Sequence, residues 1–208
     1  MKLQLALDVD SVPAALAVLE KTADLVDIVE VGTPLVLRQG ASAVRALKKQ
    51  YPKLFVLADF KIMDAGAEEA EIAFEAGADI VTVLAAAQIV TIKRACDAAR
   101  AAGRQVMVDL IAVSEVARRA VEVAAAGVTY LCCHTAFDMQ SSGVEATREF
   151  AEVRAALPGA LVAAAGGITP QRVAFLRPFA PEIIIVGGYV TRAAHPRAAI
   201  SEIRNAML

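Results

Sequence analysis

Phe55-Val56-Leu57-Ala58-Asp59, Ile80-Val81-Thr82-Val83-Leu84, Val106-Met107-Val108-Asp109 and Tyr130-Leu131-Cys132-Cys133-His134 decide the fold. Each is a short apolar run, and their last residues, 59, 84, 109 and 134, are spaced by 25. A continuous apolar run of about 4–8 residues reads as a strand buried on both faces, as in a parallel sheet. A repeat of that length holds one strand, two short loops and one helix.

Four more runs flank these. They are Leu3–Leu7 closed by Asp8, Asp27–Val31 carrying Glu30, Leu161–Ala165 closed by Gly166-Gly167, and Ile183–Val186 closed by Gly187-Gly188. Ala-, Glu-, Lys- and Arg-rich segments with helical spacing separate them, among them Pro13–Ala23, Gly40–Gln50, Ala67–Ala76, Val90–Ala102 and Ser114–Ala126. Eight βα units predict an α/β fold, a compact (β/α)8 TIM barrel forming one domain over residues 1–208. The usual length is about 250 residues, so the loops must be short. The alternative is an open doubly wound sheet. The first strand lacks the Gly-x-Gly-x-x-Gly turn that would favour it.

Composition narrows the function class. Lys and Arg number 21 against 23 Asp and Glu, a net charge of -2, which argues against a nucleic-acid footprint. Hydrophobic residues make up 57%, so a membrane has to be considered. The longest charge-free stretch, Ala155 to Gln171, is broken by Pro158, Gly159, Gly166, Gly167 and Pro170, so no spanning helix is expected. The N-terminus is not expected to be a signal peptide, because Asp8 interrupts a short apolar run. Cys96, Cys132 and Cys133 are an odd set without metal spacing and read as free thiols of a cytoplasmic protein. Arg118-Arg119 and Lys48-Lys49 read as solvated helix faces.

Barrel enzymes carry their chemistry at the C-terminal ends of the strands. There this chain places Asp8, Glu30, Asp59, Lys61, Asp64, Asp109 and His134. Any one of them could cap a helix. Seven ionisable groups around one mouth are costly unless they pair or bind something. Asp59-Phe60-Lys61-Ile62-Met63-Asp64 is the most specific piece. Alternation along a strand puts Asp59 and Lys61 on one side and Phe60 on the other. A lysine between carboxylates stays charged and can stabilise an anion forming in front of it. Glu30 and Asp59 could share a hard cation such as Mg2+. His134 is a candidate base, since imidazole suits proton transfer near neutral pH. The glycine pairs Gly166-Gly167 and Gly187-Gly188 follow the seventh and eighth runs, where barrels often hold phosphate.

The Asp-x-Lys-x-x-Asp run resembles the signature of the orotidine 5′-monophosphate decarboxylase suprafamily of barrels. Within it, Leu3–Asp8, Val29–Pro34, Leu57–Gly66, Ala76–Leu84, Val108–Ile111 and the Gly166-Gly167 turn are similar to the 3-hexulose-6-phosphate synthase family. The resemblance covers essentially the whole chain. The related 3-keto-L-gulonate 6-phosphate decarboxylases typically carry Glu, Arg, Thr and Arg where this chain has Asp109, Phe137, Ala165 and Gly188.

The resemblance implies aldol addition of formaldehyde to D-ribulose 5-phosphate, giving D-arabino-hex-3-ulose 6-phosphate, or the reverse. It implies Mg2+ on Glu30 and Asp59, with Mn2+ as a substitute. It implies His134 as the base at C1, Lys61 stabilising the 1,2-enediolate, Asp8 orienting Lys61, and Asp109 binding hydroxyls or relaying protons. Gly166, Gly167, Gly187 and Gly188 would form the phosphate end. It also implies a homodimer with shared active sites, Asp64 reaching into the partner's. The alternatives are the decarboxylase reaction and a non-catalytic sugar-phosphate-binding barrel. No membrane or nucleic-acid partner is expected.

Overall fold

The computed structural model describes residues 1–142 and 146–208. Eight parallel strands close on themselves in chain order. They are β1 (Lys2–Leu7), β2 (Ile28–Val31), β3 (Phe55–Ile62), β4 (Ile80–Leu84), β5 (Gln105–Asp109), β6 (Tyr130–His134), β7 (Val162–Ala165) and β8 (Ile183–Val186). β8 pairs with β1 through Leu5↔Val186 and its neighbours, which closes the barrel. The (β/α)8 reading therefore holds.

Alternation sorts the strand side chains into two cores. Ile28, Leu57, Ile80, Met107, Tyr130 and Ile183 belong to a cluster that fills the barrel interior. The outward residues, such as Leu5, Val29, Val81 and Val108, join the larger core against the surrounding helices. This explains the unbroken apolar runs, since both strand faces are buried.

Ten α-helices are described. α1 (Val12–Thr22), α3 (Ala41–Gln50), α4 (Gly66–Glu75), α5 (Ile89–Ala101) and α6 (Val116–Ala124) answer to the expected segments. α2 (Thr33–Gln39) is additional, a short helix after β2 with Pro34 in its first turn. Then come α7 (Ala146–Ala156), α8 (Pro170–Leu176), α9 (Gly188–Thr191) and α10 (Pro196–Ala206). The Ser11 hydroxyl caps α1 by accepting from the Ala14 N–H, and Thr169 caps α8 by accepting from that of Arg172. α4 and α5 pack backbone to backbone, because a Cβ on Gly66 would run into the Thr91 carbonyl.

Two sequence expectations fail at helix surfaces. Lys48 is not solvated: its Nζ donates to the Asp79 carboxylate at 2.6 Å and to the Leu54 carbonyl at 2.9 Å. Arg119 turns inward and donates to the carbonyls of Ala85 and Ala87, while Arg118 stays on the surface with Glu115. Spacing could not separate these residues, because a long cationic side chain reaches buried partners several residues away from its own helix face.

β3 runs four residues past Ala58, where the apolar run stops. Its register with β4 shifts between Ala58 and Ile62: Ala58 faces Val81, yet Ile62 faces Val83. The surplus residues form a bulge at Asp59–Lys61, and Lys61 takes φ +48°. Bulges at barrel rims re-aim side chains, and a non-glycine residue at such a φ is uncommon and costly.

Candidate active site

A cavity of about 550 Å3 opens at the C-terminal end of the barrel. Asp8, Glu30, Asp59, Lys61, Asp109 and His134 line it, and so do Gly166, Gly167, Gly187 and Gly188. Ten of the eleven residues singled out from the sequence thus meet in one space. Asp64 does not line it. Its side chain is exposed and accepts from the N–H of Ala65, beside Arg94 and Glu68.

The bulge brings Asp59 and Lys61 to the same side, as alternation predicts, but with help from the next strand. The Thr82 hydroxyl accepts from the Lys61 N–H at 2.9 Å and donates to Asp59 Oδ1 at 2.8 Å. Thr33 donates to Asp59 Oδ2 at 2.6 Å. Two hydroxyls therefore lock a carboxylate that is almost wholly buried.

Lys61 Nζ lies 2.9 Å from Asp59 and 3.2 Å from Asp109. Burial by itself would lower its pKa. The two carboxylates outweigh burial and hold the ammonium well above the usual lysine range. The expectation that Asp8 orients Lys61 is corrected here. Asp8 acts on Lys61 only through its field, and the contacts come from Asp59 and Asp109.

Asp109 Oδ2 also lies 2.9 Å from Nδ1 of His134. Burial would raise the Asp109 pKa, but His134 and Lys61 more than offset it and hold this carboxyl below its ordinary value. An ionised Asp109 accepts from Nδ1–H, which leaves the lone pair on Nε2. Asp109 Oδ1 accepts from the Ile111 N–H at 2.9 Å, so the carboxylate is fixed at both oxygens.

Glu30 points into the barrel, where Gln4 Nε2 donates to it at 2.6 Å. Burial pushes its pKa well up, and Asp59 and Asp8 add to the rise. Burial and Asp59 raise Asp8 as well, although part of its side chain meets solvent. Four carboxyl groups thus face Lys61 and one imidazole. Among the described residues, no three His, Cys, Asp or Glu side chains form a ready-made metal cage. The donor set still suits a hard cation: it is all oxygen, in excess of positive charge, and Gln4 Oε1 beside it is buried without a donor. Glu30 and Asp59 would be the protein ligands, with water and substrate oxygens completing the shell.

The opposite wall is built of glycine. Gly166 and Gly167 both have positive φ, +89° and +63°. A Cβ on Gly166 would meet the Thr135 N at 2.8 Å, so this turn admits no side chain. Arg172 Nη1 ties the turn from behind by donating to the Gly166 carbonyl at 3.0 Å.

Several lining residues escape a sequence reading. Gln4, Thr33 and Thr82 are polar residues inside or beside apolar strand runs, and that interruption is the signal that could have marked them. Arg192 carries no such signal. It follows α9, yet its guanidinium lies over Gly188, with Cζ 2.9 Å from where a Cβ would stand. It also lies over the Phe137 ring, 5.4 Å from the centroid. The sequence reading took Gly188 to leave that place without a cation. The structure fills it from four residues further along the chain.

A closed parallel barrel with a lysine–carboxylate–histidine chain at its mouth defines a barrel enzyme of the type that works on small anionic substrates. The chain belongs to the Orotidine 5'-phosphate decarboxylase / HUMPS family, whose model matches residues 1–203. It is 40% identical over 204 residues to the 3-hexulose-6-phosphate synthase of Bacillus subtilis, covering 98% of this chain and 97% of that protein. The crystal structure of 3-hexulose-6-phosphate synthase from Salmonella typhimurium superposes with a TM-score of 0.96 at 40% identity, covering 100% of this chain and 98% of that one. The 3-keto-L-gulonate-6-phosphate decarboxylase of Vibrio cholerae is more distant, with a TM-score of 0.89 at 28% identity over 99% and 96% of the two chains. Among the described residues, no helix is long and apolar enough to cross a membrane.

Proposed function

We propose that this chain catalyses the Mg2+-dependent aldol addition of formaldehyde to D-ribulose 5-phosphate, giving D-arabino-hex-3-ulose 6-phosphate, and the reverse cleavage. The observation that carries the reading is the sharing of Asp109 between His134 and Lys61. It sets a proton acceptor and a fixed cation side by side, facing one cavity. Removing a proton next to a carbonyl needs that pair: a base for the proton and a positive charge for the oxygen that becomes anionic. The names of the nearer relatives favour this substrate pair.

The sugar phosphate lies with its phosphate toward Gly166, Gly167, Gly187 and Gly188, and its carbonyl toward Lys61. His134 Nε2 takes a proton from C1, while Asp109 holds the ring through Nδ1 and stabilises the imidazolium. Lys61 stabilises the charge on the 1,2-enediolate. C1 then attacks formaldehyde, the C=O π bond breaks as the new C–C bond forms, and the formaldehyde oxygen takes up the proton that the His134 imidazolium gives back. Glu30 and Asp59 would hold Mg2+, which when bound would supply Lewis-acid polarisation of the substrate oxygens. Asp8 sits at the rim, where it can receive a substrate hydroxyl.

The same chemistry serves a decarboxylase that also passes through an enediolate. Arg192 over Gly188 makes that second reading worth a direct test, because it returns a cation to the place Gly188 leaves open. The experiment compares formaldehyde consumption with ribulose 5-phosphate against CO2 release from 3-keto-L-gulonate 6-phosphate. Comparable kcat/KM for the two would overturn the aldol assignment. A homodimer with Asp64 completing the partner's site belongs to the same proposal. Its support is that Asp64 faces away from its own cavity, next to the exposed apolar side chains of Met63 and Val90.

A further inference from the structure

Among the described residues, two side chains lining the cavity are permanently cationic, Lys61 and Arg192. Lys61 is committed to Asp59 and Asp109. Arg192 has five N–H donors and makes no hydrogen bond or ion pair with any described residue. Its neighbours are the Phe137 ring and Gly188, and its charge is felt by Asp8. A guanidinium at a cavity mouth with no hydrogen-bond partner among the described residues is placed to receive an anion.

The charge layout says where that anion goes. Glu30, Asp59 and Asp109 gather around Lys61 and His134, while Asp8, after β1, lies against the neighbouring β8 turn, its Oδ2 3.3 Å from where a Cβ on Gly187 would stand. At the wall of Gly187 and Gly188 the cation is Arg192, whose field reaches Asp8 beside Gly187. A substrate with a sugar at one end and a phosphate at the other can satisfy this layout in one direction only. Its phosphate goes to the Gly188 end, where Arg192 stands, and its carbonyl to the end where Asp59 and Asp109 hold Lys61. Backbone amides there donate hydrogen bonds but offer no net charge against a dianion. The Phe137 ring lies beside the guanidinium over Gly188, and any side chain at 188 would take that space.

We propose that Arg192 is the side-chain ligand of the substrate's phosphate, steadied over Gly188 by Phe137. This rests on the sugar-phosphate reading above. Arg192 is a binding residue in it, far from the proton transfer at C1. The planar fork of the guanidinium selects phosphorylated substrates and orients the sugar so that its carbonyl end reaches Lys61.

The test is calorimetric titration of the wild-type protein, Arg192→Ala and Arg192→Lys with ribulose 5-phosphate and, separately, with inorganic phosphate, alongside steady-state kinetics. Arg192 is exposed, and thermal melting checks that the variants fold. Arg192→Ala should weaken both ligands by about 10- to 100-fold, the size of a lost charge-assisted contact. Lysine should restore part of this, since it keeps the charge and loses the fork. KM should follow the binding loss, while kcat stays within about threefold. Dissociation constants within about twofold of wild type would overturn the inference, as would a fall in kcat with binding unchanged. Arg192-dependent phosphate binding in a protein that neither binds ribulose 5-phosphate nor consumes formaldehyde would sink the aldol reading and leave the inference standing. A wild-type protein that binds neither phosphate compound would sink both.

Discussion

Lys61 and His134 meet on a single atom, Oδ2 of Asp109, at 3.2 and 2.9 Å. The group proposed to take the proton and the group proposed to stabilise the resulting anion are thus set by one carboxylate. That carboxylate is almost fully buried and is held at its other oxygen by a backbone N–H. The two functions cannot be disturbed separately at this residue.

Asp109→Asn should therefore be more damaging than loss of a simple hydroxyl-binding residue. The amide keeps the shape but offers Lys61 no charge, and its NH2 can force the wrong histidine tautomer. We expect kcat to fall by about 10²–10⁴, the range for general base catalysis. The measurement is solvent exchange of the C1 proton of ribulose 5-phosphate in D2O, without formaldehyde. Wild-type exchange rates in the variant would remove Asp109 and His134 from the proton transfer.

Lys61→Ala removes the fixed cation. Loss of one such electrostatic donor costs about 10²–10³ in kcat. Substrate binding should suffer less, because the glycine wall and Arg192 remain. The same D2O exchange, followed by NMR, reads the result. A variant that binds substrate and exchanges normally would reduce Lys61 to a structural ion-pair member.

Metal removal gives the third expectation. Activity should vanish in excess EDTA and return with Mg2+ or Mn2+, because the available protein donors are carboxylate oxygens. Full turnover in the chelator would end the metal assignment.

The buried Glu30 makes metal-free stability depend on pH. Its carboxyl is raised above the ordinary value of 4.5 in the folded chain, first by burial and then by Asp59 and Asp8. Between that value and the folded one, the folded state binds a proton that the unfolded state does not, so stability rises as pH falls through the window. Asp8 acts in the same direction. Asp109, lowered in the folded chain, works the other way, its stabilisation being lost only at more acid pH. Melting temperatures of metal-free protein should therefore climb from neutral toward mildly acidic pH, and Glu30→Gln should flatten the climb. An unchanged slope in that variant would place the effect elsewhere.

Asp64 can be tested by mixing. If each site takes Asp64 from the partner, Lys61→Ala and Asp64→Asn are each inactive alone. Random reassociation makes half the dimers hybrid, with one intact site in two, so about a quarter of wild-type activity should return. No recovery despite hybrid formation would rule out a shared site.

The barrel was legible because eight apolar runs of strand length recur with a fixed spacing, and burial on both faces leaves such runs unbroken. The polar residues that end them were legible for the same reason, as each stands where apolarity stops. Asp8, Glu30, Asp59, Asp109 and His134 needed no more than that to be drawn to one mouth. Which of them touch was a different matter. The family resemblance put Asp8 on Lys61, whereas a bulge opposite Thr82 turns the ammonium toward Asp59 and Asp109. A register shift belongs to a strand pair, so neither strand's sequence contains it. Arg192 was hidden for a related reason. The one turn of α9 sets its guanidinium over Gly188, four residues back, but only the closing of β8 beside β1 turns that helix toward the cavity, in view of Asp8. Local pattern determined the elements and the chemistry available at their ends, because burial acts on each segment separately. Contact between side chains from distant segments was decided by the packing of the closed barrel.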